Sequence, residues 1–272
     1  MDRYRTRLDE QGALSFHDRN AWRGNSYSII ESQFVDEYNR SGYFIIREMF
    51  KDLDHMPFSL KHVSIDPETA GVRSILGVHY QKDIADKYLN NGLYDLAEEI
   101  IDDEVYIHQS RINCKTPGNS GWHWHSDFET WHSQDGMPEM HCATAMIALD
   151  DNTKNNGPLT VIPGSHLWYW SSPKGESCSA EENFADQKEG VPPDAVISEI
   201  IARTGNSPVE LILTAGDVVI FDCNLLHFSE ANNSGMNRRN LFFVFNAESN
   251  RLQKPFSYDF NRPEYMATRG NV

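Results

Sequence analysis

The sequence is poor in the residues that build disulfide frameworks or cysteine metal sites. It has four cysteines in 272 residues, and no two of them form a CxxC pair. A cysteine zinc site is therefore not expected. The four residues are Cys114, Cys142, Cys178 and Cys223.

Long apolar runs are also lacking. No stretch approaches the ~18 consecutive apolar residues of a membrane span. The polar start, Met1 to Arg5, is followed by no apolar segment of signal-peptide type. We therefore expect a protein of the reducing cytoplasm with no membrane partner. The chain carries neither an internal repeat nor a low-complexity tract.

Positive charge is scarce. The 24 basic residues are outnumbered by 40 acidic residues, which gives a formal net charge of −16. Nucleic acids and anionic membranes both bind through basic patches, so neither is expected as a partner. We expect a small-molecule partner instead, with a homodimer as the candidate assembly.

The length and the order of patterns predict one α+β domain over residues 1–272. Helices are predicted at 32–43 and 83–103, and short strands follow from residue 105 onward. The polar stretch 171–206 interrupts the strands and is interpreted as an insertion with at most two or three helical turns. Helices first and strands after favour a mainly β chain: a double-stranded β-helix (jelly-roll, cupin-like) core with flanking helices. The later strands are predicted at 105–113, 142–149, 159–162, 209–213, 218–221 and 241–245.

One segment combines histidine, carboxylate and aromatic residues at high density: GWHWHSDFETWH at 121–132. Residues two apart on a strand point to the same face, so His125 and Asp127 can present an imidazole and a carboxylate to one metal. One further histidine would complete a two-histidine, one-carboxylate triad with open positions. That geometry is typical of iron(II) enzymes that activate oxygen.

His227 is the best third ligand because it ends an apolar strand that follows an Ala-Gly-Asp turn. Arg238 lies eleven residues later, where a guanidinium can hold the distal carboxylate of a keto-acid co-substrate. His166 is a rival ligand, but it sits in a Pro-Gly-Ser-His turn without an arginine at similar spacing. His123 lies on the same face as His125 and can serve at the mouth of the site.

Zinc hydrolysis and halogenation are the two other kinds of metal chemistry that compete with this interpretation. A hydrolytic zinc site also uses two histidines and one carboxylate, but the HExxH helix motif is absent and Arg238 has no role in that chemistry. Halogenating relatives vacate the carboxylate position, whereas Asp127 is present. A metal-binding barrel without redox turnover stays open as the second class of function.

These residues resemble the phytanoyl-CoA dioxygenase superfamily and, within it, the ectoine hydroxylases. The resemblance covers most of the chain. The run HSDFETWH at 125–132, followed by DGMP at 135–138, is similar to the ectoine hydroxylase signature almost letter for letter. Further similar segments are VYIHQSRIN at 105–113, NGPL at 156–159, IPGSH at 162–166, FDCN at 221–224 and RPEY at 262–265.

The resemblance implies an enzyme that uses Fe(II), 2-oxoglutarate and O2 to convert ectoine to 5-hydroxyectoine. It implies iron ligation by His125, Asp127 and His227. It places the co-substrate with Arg238, Asn113, Arg111 and Thr144. Ectoine is a zwitterion with a cationic ring, which an aromatic wall and amide side chains can hold. The implied substrate residues are Gln109, Thr130, Trp131, Phe221, Phe242 and Asn240.

Several positions depart from the expected family pattern, and Thr144 is one of them because a second small serine is expected there. Met146 stands where a small serine is expected, Leu76 replaces a phenylalanine, and Phe228 follows the metal histidine where glycine is usual. These changes leave the predicted iron chemistry intact but can reshape the substrate pocket. A free amino acid of the proline, pipecolate or leucine type is therefore the alternative substrate.

Overall fold

The structure, a computed structural model, describes residues 4–18, 31–53, 59–175 and 178–269. Its strands form two antiparallel sheets and a two-stranded ribbon. The large-sheet strands are β2 (Tyr43–Ile46), β3 (Val63–Ile65), β4 (Val72–Leu76), β5 (Val105–Lys115), β7 (Cys142–Ala148), β11 (Val218–Asp222) and β13 (Arg238–Ala247). The small-sheet strands are β6 (Trp122–His125), β8 (Leu159–Val161), β10 (Val209–Glu210) and β12 (His227–Ser229). The large sheet has the order β2-β11-β7-β13-β5-β4-β3, and the small sheet has the order β10-β8-β12-β6.

The space between the two sheets is filled by one apolar cluster to which both contribute. Val219, Phe221 and Phe242 of the large sheet pack there with Leu159 and Val161 of the small sheet. Successive residues of a strand point to opposite faces. Every second residue of the central strands therefore points between the sheets, where a site can be built.

Helices cover the opposite face of the large sheet. Helix α1 (Ser32–Ser41) ends at Gly42, which adopts the left-handed conformation with φ 81°. A second helical layer comprises α2 (Lys82–Ile84), a π-helical segment (Ala85–Leu93) and α3 (Tyr94–Ile101). These elements pack on residues such as Phe243 and Phe245. Among the described residues, every helix is too short or too polar to cross a bilayer.

Two predicted elements differ from the observed ones. The helix predicted at 83–103 is interrupted, because Gly92 has a φ of 96° that a regular helix cannot contain. The strand predicted at 209–213 pairs only over Val209–Glu210. Leu211 and Leu213 are still buried and Ile212 is exposed, which explains the alternating pattern, but only an isolated bridge joins Leu213 to Asn152.

The predicted insertion contains more helix than expected. Helix α5 (Ala180–Asp186) and helix α6 (Asp194–Thr204) have seven and eleven residues, together about five turns. A capping box between Ser179 and Glu182 begins α5. The sequence carries this signal as Ser179 followed three residues later by Glu182.

The N-terminal segment is held against the rest of the protein by strand pairing and ion pairs. Strand β1 (Ala13–Phe16) pairs with β9 (Trp168–Ser171), the strand that leads into the insertion. Arg7 donates two hydrogen bonds to Glu129, at 2.8 and 2.6 Å, and also pairs with Glu189 of the insertion. These three side chains are almost fully buried. One ionic network thus joins the N-terminal segment, the 121–132 motif and the predicted insertion.

We expect the change Arg7→Met to lower the free energy of unfolding by about 3–5 kcal/mol, because it leaves buried Glu129 without its cationic partner. Arg5→Met is the matched control. Arg5 pairs with Asp9 at the surface, and such a pair contributes at most about 1 kcal/mol. Urea unfolding followed by circular dichroism measures both changes. Equal effects of the two substitutions would contradict a structural role for the buried network.

Candidate metal and co-substrate site

The three predicted ligands come from adjoining parts of the small sheet. His125 ends β6 and lies opposite His227, the first residue of β12. Asp127 does not share a strand with His125, contrary to the expectation. The strand ends at His125, and Asp127 begins the short helix α4 (Asp127–Thr130). The Phe128 amide donates to the carbonyl of Cys223, which fixes this helical turn beside β11.

The ligand atoms of His125, Asp127 and His227 all lie within 4.8 Å of one another, and all three residues are buried. The Nδ1 of His125 is 2.7 Å from the carbonyl of His123, and the Nδ1 of His227 is 2.9 Å from the carbonyl of Leu225. An Nδ1–H that donates to a carbonyl leaves the lone pair on Nε2. Both imidazoles therefore present a nitrogen that can bind a metal.

The protonation states fit the same role. Burial lowers the pKa of His125 to about 3, and the neighbouring His227 adds to this effect. Burial also lowers the pKa of His227. Both rings are therefore neutral at pH 7. Asp127 Oδ2 is buried and has no hydrogen-bond partner. A buried carboxylate oxygen without a partner, beside two neutral imidazoles, matches the ligand set of a mononuclear iron(II) site.

The rival histidine lies elsewhere. The Nε2 of His166 is 3.2 Å from the carbonyl of Asn39, and His166 is not part of the three-residue cluster.

Arg238, at the start of β13, is buried between the sheets. Its Nη2 donates to the carbonyl of Gly157 at 2.8 Å. The Asn240 amide oxygen accepts from Arg238 Nη1 at 2.9 Å in the orientation that satisfies both groups. Nε has no partner, and burial lowers the pKa of Arg238 to about 10. The guanidinium is thus charged at pH 7, held in place by neutral oxygens, and still has a donor to offer.

Arg111 provides a second cation on the interior face of β5. Its guanidinium lies 5.5 Å from the ring of Phe184 and 5.0 Å from the ring of Phe242. Its Nη2 is 3.9 Å from Asp127 Oδ1. Burial lowers the pKa of Arg111, although Asp127 opposes this effect. The two aromatic rings fix a positive charge next to the predicted metal ligands.

One cavity is lined both by two of the predicted metal ligands and by predicted co-substrate residues. Six predicted residues line it: Arg111, Asn113, His125, His227, Arg238 and Phe242. The sequence alone did not identify several others, namely Trp122, Leu159, Phe184, Gln187 and Ser229. Ser229 lies two residues after His227 on β12, so strand periodicity could have identified it. Phe184 and Gln187 belong to the predicted insertion, and no local pattern indicates where that segment docks.

The other predicted residues lie outside this cavity. Asn240 is fully buried, and its amide lies within hydrogen-bond distance of Asn152 and Arg238. Gln109 donates to the carbonyl of Met266 at 2.8 Å. Trp131 packs edge-on against His108, and Phe221 packs edge-on against His227. Thr130 and Thr144 are buried, and the hydroxyl of Thr144 has no hydrogen-bond partner.

Three of the residues that depart from the family pattern lie in different parts of the structure. Phe228 lines the cavity and packs against Trp124, with ring centroids 4.3 Å apart. Met146 belongs to the core between the sheets, and Leu76 packs with Phe184 in a separate cluster. Phe228 alone of these three residues lines this cavity.

Two imidazoles and one carboxylate beside buried arginines define a site of the non-haem iron oxygenase class. The chain belongs to the phytanoyl-CoA dioxygenase (PhyH) family, whose model matches residues 38–240. The predicted resemblance is thereby confirmed. The chain is 38% identical to the ectoine dioxygenase of Sphingopyxis alaskensis over 261 residues, 89% of this chain and 84% of the relative. It is 35% identical to the ectoine dioxygenase of Bordetella bronchiseptica over 291 aligned residues, 99% of this chain and 93% of the relative.

The fold is similar to that of a solved relative. The crystal structure of EctD from S. alaskensis with 2-oxoglutarate and 5-hydroxyectoine matches with a TM-score of 0.84 and 31% identity. That match covers 99% of this chain and 95% of the relative. A second crystal structure of the same protein, with bound Fe, gives the same TM-score at 31% identity and covers 100% of this chain and 96% of the relative.

Proposed function

We propose that this protein is an Fe(II)- and 2-oxoglutarate-dependent dioxygenase that hydroxylates ectoine to 5-hydroxyectoine. The observation that carries this proposal is the buried cluster of His125, Asp127 and His227. The two histidines of this cluster line one cavity with Arg111 and Arg238. The similarity to ectoine dioxygenases over most of both chains supports the choice of substrate.

We further infer that the two facing sheets form a double-stranded β-helix. Residues 1–272 would then form one domain, with residues 171–206 as an insertion over the site. The contribution of Phe184 and Gln187 to the cavity wall supports this role of the insertion. The cavity volume is about 40 Å³. A cytoplasmic location and a homodimer stay predictions.

In this proposal, His125, Asp127 and His227 hold the iron. Bound Fe(II) supplies O2 activation, coupled to conversion of 2-oxoglutarate to succinate and CO2, for hydroxylation of an unactivated carbon. The protein fixes the two imidazoles through their Nδ1 contacts and keeps the carboxylate away from bulk water. These three residues would supply the two-histidine, one-carboxylate ligand set that iron(II) oxygenases use.

Arg238 binds the distal carboxylate of 2-oxoglutarate, and its contacts with Gly157 and Asn240 hold the guanidinium in position for that task. Arg111, Asn113 and Thr144 complete the co-substrate site. Buried cations with few ionic partners favour a dianion, because a carboxylate replaces the hydration that each cation has lost.

Gln109, Thr130, Trp131, Phe221, Phe242 and Asn240 are proposed to serve the substrate. Phe242 lines the cavity and presents aromatic surface of the kind that holds a cationic ring. Phe228 lines the cavity beside His227, at a position where the family pattern has glycine. A phenylalanine leaves less room there than a glycine, which favours a second candidate substrate. A free amino acid of the proline, pipecolate or leucine type is therefore the alternative substrate.

The test uses anaerobically purified, iron-loaded protein mixed with 2-oxoglutarate and air. Parallel reactions contain ectoine, L-proline, L-pipecolate or L-leucine, and mass spectrometry measures succinate and any product heavier by one oxygen atom. We expect hydroxylated ectoine with one succinate per product.

Product from an amino acid alone would transfer the proposal to the second candidate. A third outcome, no substrate-dependent succinate from any compound, would contradict the dioxygenase proposal if the iron content of the protein were stoichiometric.

A further inference from the structure

The last turn of helix α5 contributes two side chains to the cavity that contains the metal-ligand histidines. Phe184 and Gln187 are three residues apart, a spacing that places both on one side of a helix. Both line the cavity together with His125 and His227, and both are buried. The insertion thus brings one aromatic ring and one amide to a site whose other walls come from the two sheets.

Gln187 has a backbone conformation that is unusual for glutamine. It ends α5 in the left-handed region, with φ 43° and ψ 59°, where glycine is strongly preferred. Its backbone amide donates to the carbonyl of Asn183 at 2.7 Å, which holds this conformation in place. Residues with a side chain that are held in this region cluster at ligand sites. The conformation therefore indicates that the side chain of Gln187 has a task that glycine cannot perform.

The amide of Gln187 is held in one orientation by its neighbours. Gln187 Nε2 donates to the carbonyl of Glu189 at 2.9 Å. The carboxylate of Glu189 pairs with Arg7 and accepts from Gln134 Nε2 at 2.9 Å. The backbone amide of Glu189 donates to Asn183 Oδ1 at 2.8 Å. The residue that orients Gln187 is thus itself fixed to the N-terminal segment and to the 121–132 motif.

The oxygen of this amide is available to a ligand. Within the part of the chain that the structure describes, Gln187 Oε1 has no hydrogen-bond partner. An amide whose N–H is bonded to a carbonyl is polarised, which makes its oxygen a better acceptor. Two other side-chain oxygens of the cavity wall already accept: Asn113 Oδ1 from Ser74 and Ser229 Oγ from Lys115, each at 2.8 Å.

The chemistry of the cavity wall indicates which ligand group needs this oxygen. Arg111 and Arg238 offer only N–H donors, and the imidazoles present their free nitrogens to the metal. A ligand with N–H donors of its own therefore requires the oxygen of Gln187. The rings of Phe184 and Phe242 line the same cavity and can face a positive charge. A cation that carries N–H groups fits this combination.

We propose that Gln187 binds the substrate, and that its Oε1 accepts a hydrogen bond from an N–H group of the substrate cation. In ectoine the donor is the cationic amidine ring, and in a free amino acid it is the ammonium group. This inference rests on the proposed function, since it adds a contact to the same substrate.

Steady-state kinetics of the iron-loaded protein test the proposal. Ectoine is varied at saturating 2-oxoglutarate, and 2-oxoglutarate is then varied at saturating ectoine. Gln187→Met keeps the length of the side chain but lacks the oxygen. It should raise the KM for ectoine about tenfold or more, because a hydrogen bond from a charged donor is lost. The KM for 2-oxoglutarate and the iron content should stay within about twofold of the wild type.

Gln187→Gly separates the contact from folding. Glycine favours the left-handed conformation of this position, so the gain in the backbone offsets the lost hydrogen bond to Glu189. This variant should unfold at about the same urea concentration as the wild type and still show the raised KM for ectoine. Lys188→Met, at the exposed next residue, is the control and should keep the wild-type KM for both compounds.

An unchanged KM for ectoine in both Gln187 variants would overturn the role of Gln187. An equal rise in the KM for 2-oxoglutarate, or the same rise in Lys188→Met, would also overturn it, because either result indicates a displaced insertion. If the wild-type protein hydroxylates an amino acid instead of ectoine, the KM for that amino acid must rise in the Gln187 variants. Failure of the wild-type protein to hydroxylate any compound would instead contradict the proposed function on which that role depends.

Discussion

Replacing His125 or Asp127 by alanine is expected to lower turnover by about 10³-fold or more and to remove bound iron. Each change leaves two ligands of a set whose atoms lie within 4.8 Å of one another. The neutral imidazoles and the partnerless Asp127 oxygen indicate that all three residues share one task. Metal analysis after gel filtration and succinate formation with ectoine measure the two effects.

His123→Ala is the matched control for this prediction. His123 is exposed on the same strand as His125, and its backbone carbonyl, which contacts His125 Nδ1, remains in the variant. We expect its iron content and turnover to stay within about twofold of the wild type. Full activity of Asp127→Ala would show that the carboxylate is not a ligand, and equal losses in the His123 and His125 variants would point to a general structural effect.

The local geometry around His125 and Asp127 differs from the one that the sequence predicted. The pair His125 and Asp127 was found by assuming one continuous strand, yet the chain enters a helical turn at Asp127. The two side chains still converge because the Phe128 amide is anchored to Cys223, a residue 95 positions away in the sequence. Strand periodicity alone could not have shown this contact.

The central strands were predictable because burial alternates along them. Phe242 faces the core between the sheets, while Phe243 faces the helices. Their pairing was not predictable in detail. The pairing of β13 with β5 follows a register that shifts once, between Val244 and Phe245. A shift of one residue changes which side chains oppose each other, and the sequence carries no local signal for it.

The insertion shows the same limit. The capping box at Ser179 marks where α5 begins. The docking of Phe184 against Arg111 depends on long-range contacts, among them the pairing of Glu189 with Arg7. Sequence periodicity predicts local elements, so it gives no sign of an ion pair between residues far apart in the chain.

Arg238→Gln is expected to lower kcat/KM for 2-oxoglutarate by about 100-fold or more. The guanidinium is the buried cation that we propose binds the distal carboxylate, and removing one partner of a buried charge pair costs about 2–5 kcal/mol. Glutamine keeps a donor for the carbonyl of Gly157, so the local hydrogen bonding is partly preserved. Steady-state kinetics with 2-oxoglutarate as the varied substrate, at saturating ectoine, measure the effect.

Arg239→Gln is the control, because Arg239 follows directly on the same strand but is bound to Asp150 at 2.8 Å and is about one-quarter exposed. Its side chain points away from the cavity, so kcat/KM should change by less than about twofold, with a stability loss of at most about 1 kcal/mol. Iron content should remain at the wild-type level in both variants, because neither arginine is a metal ligand. A similar loss of kcat/KM in both variants would indicate a disturbed β13 strand, whereas an unchanged Arg238 variant would place the distal carboxylate at Arg111 instead.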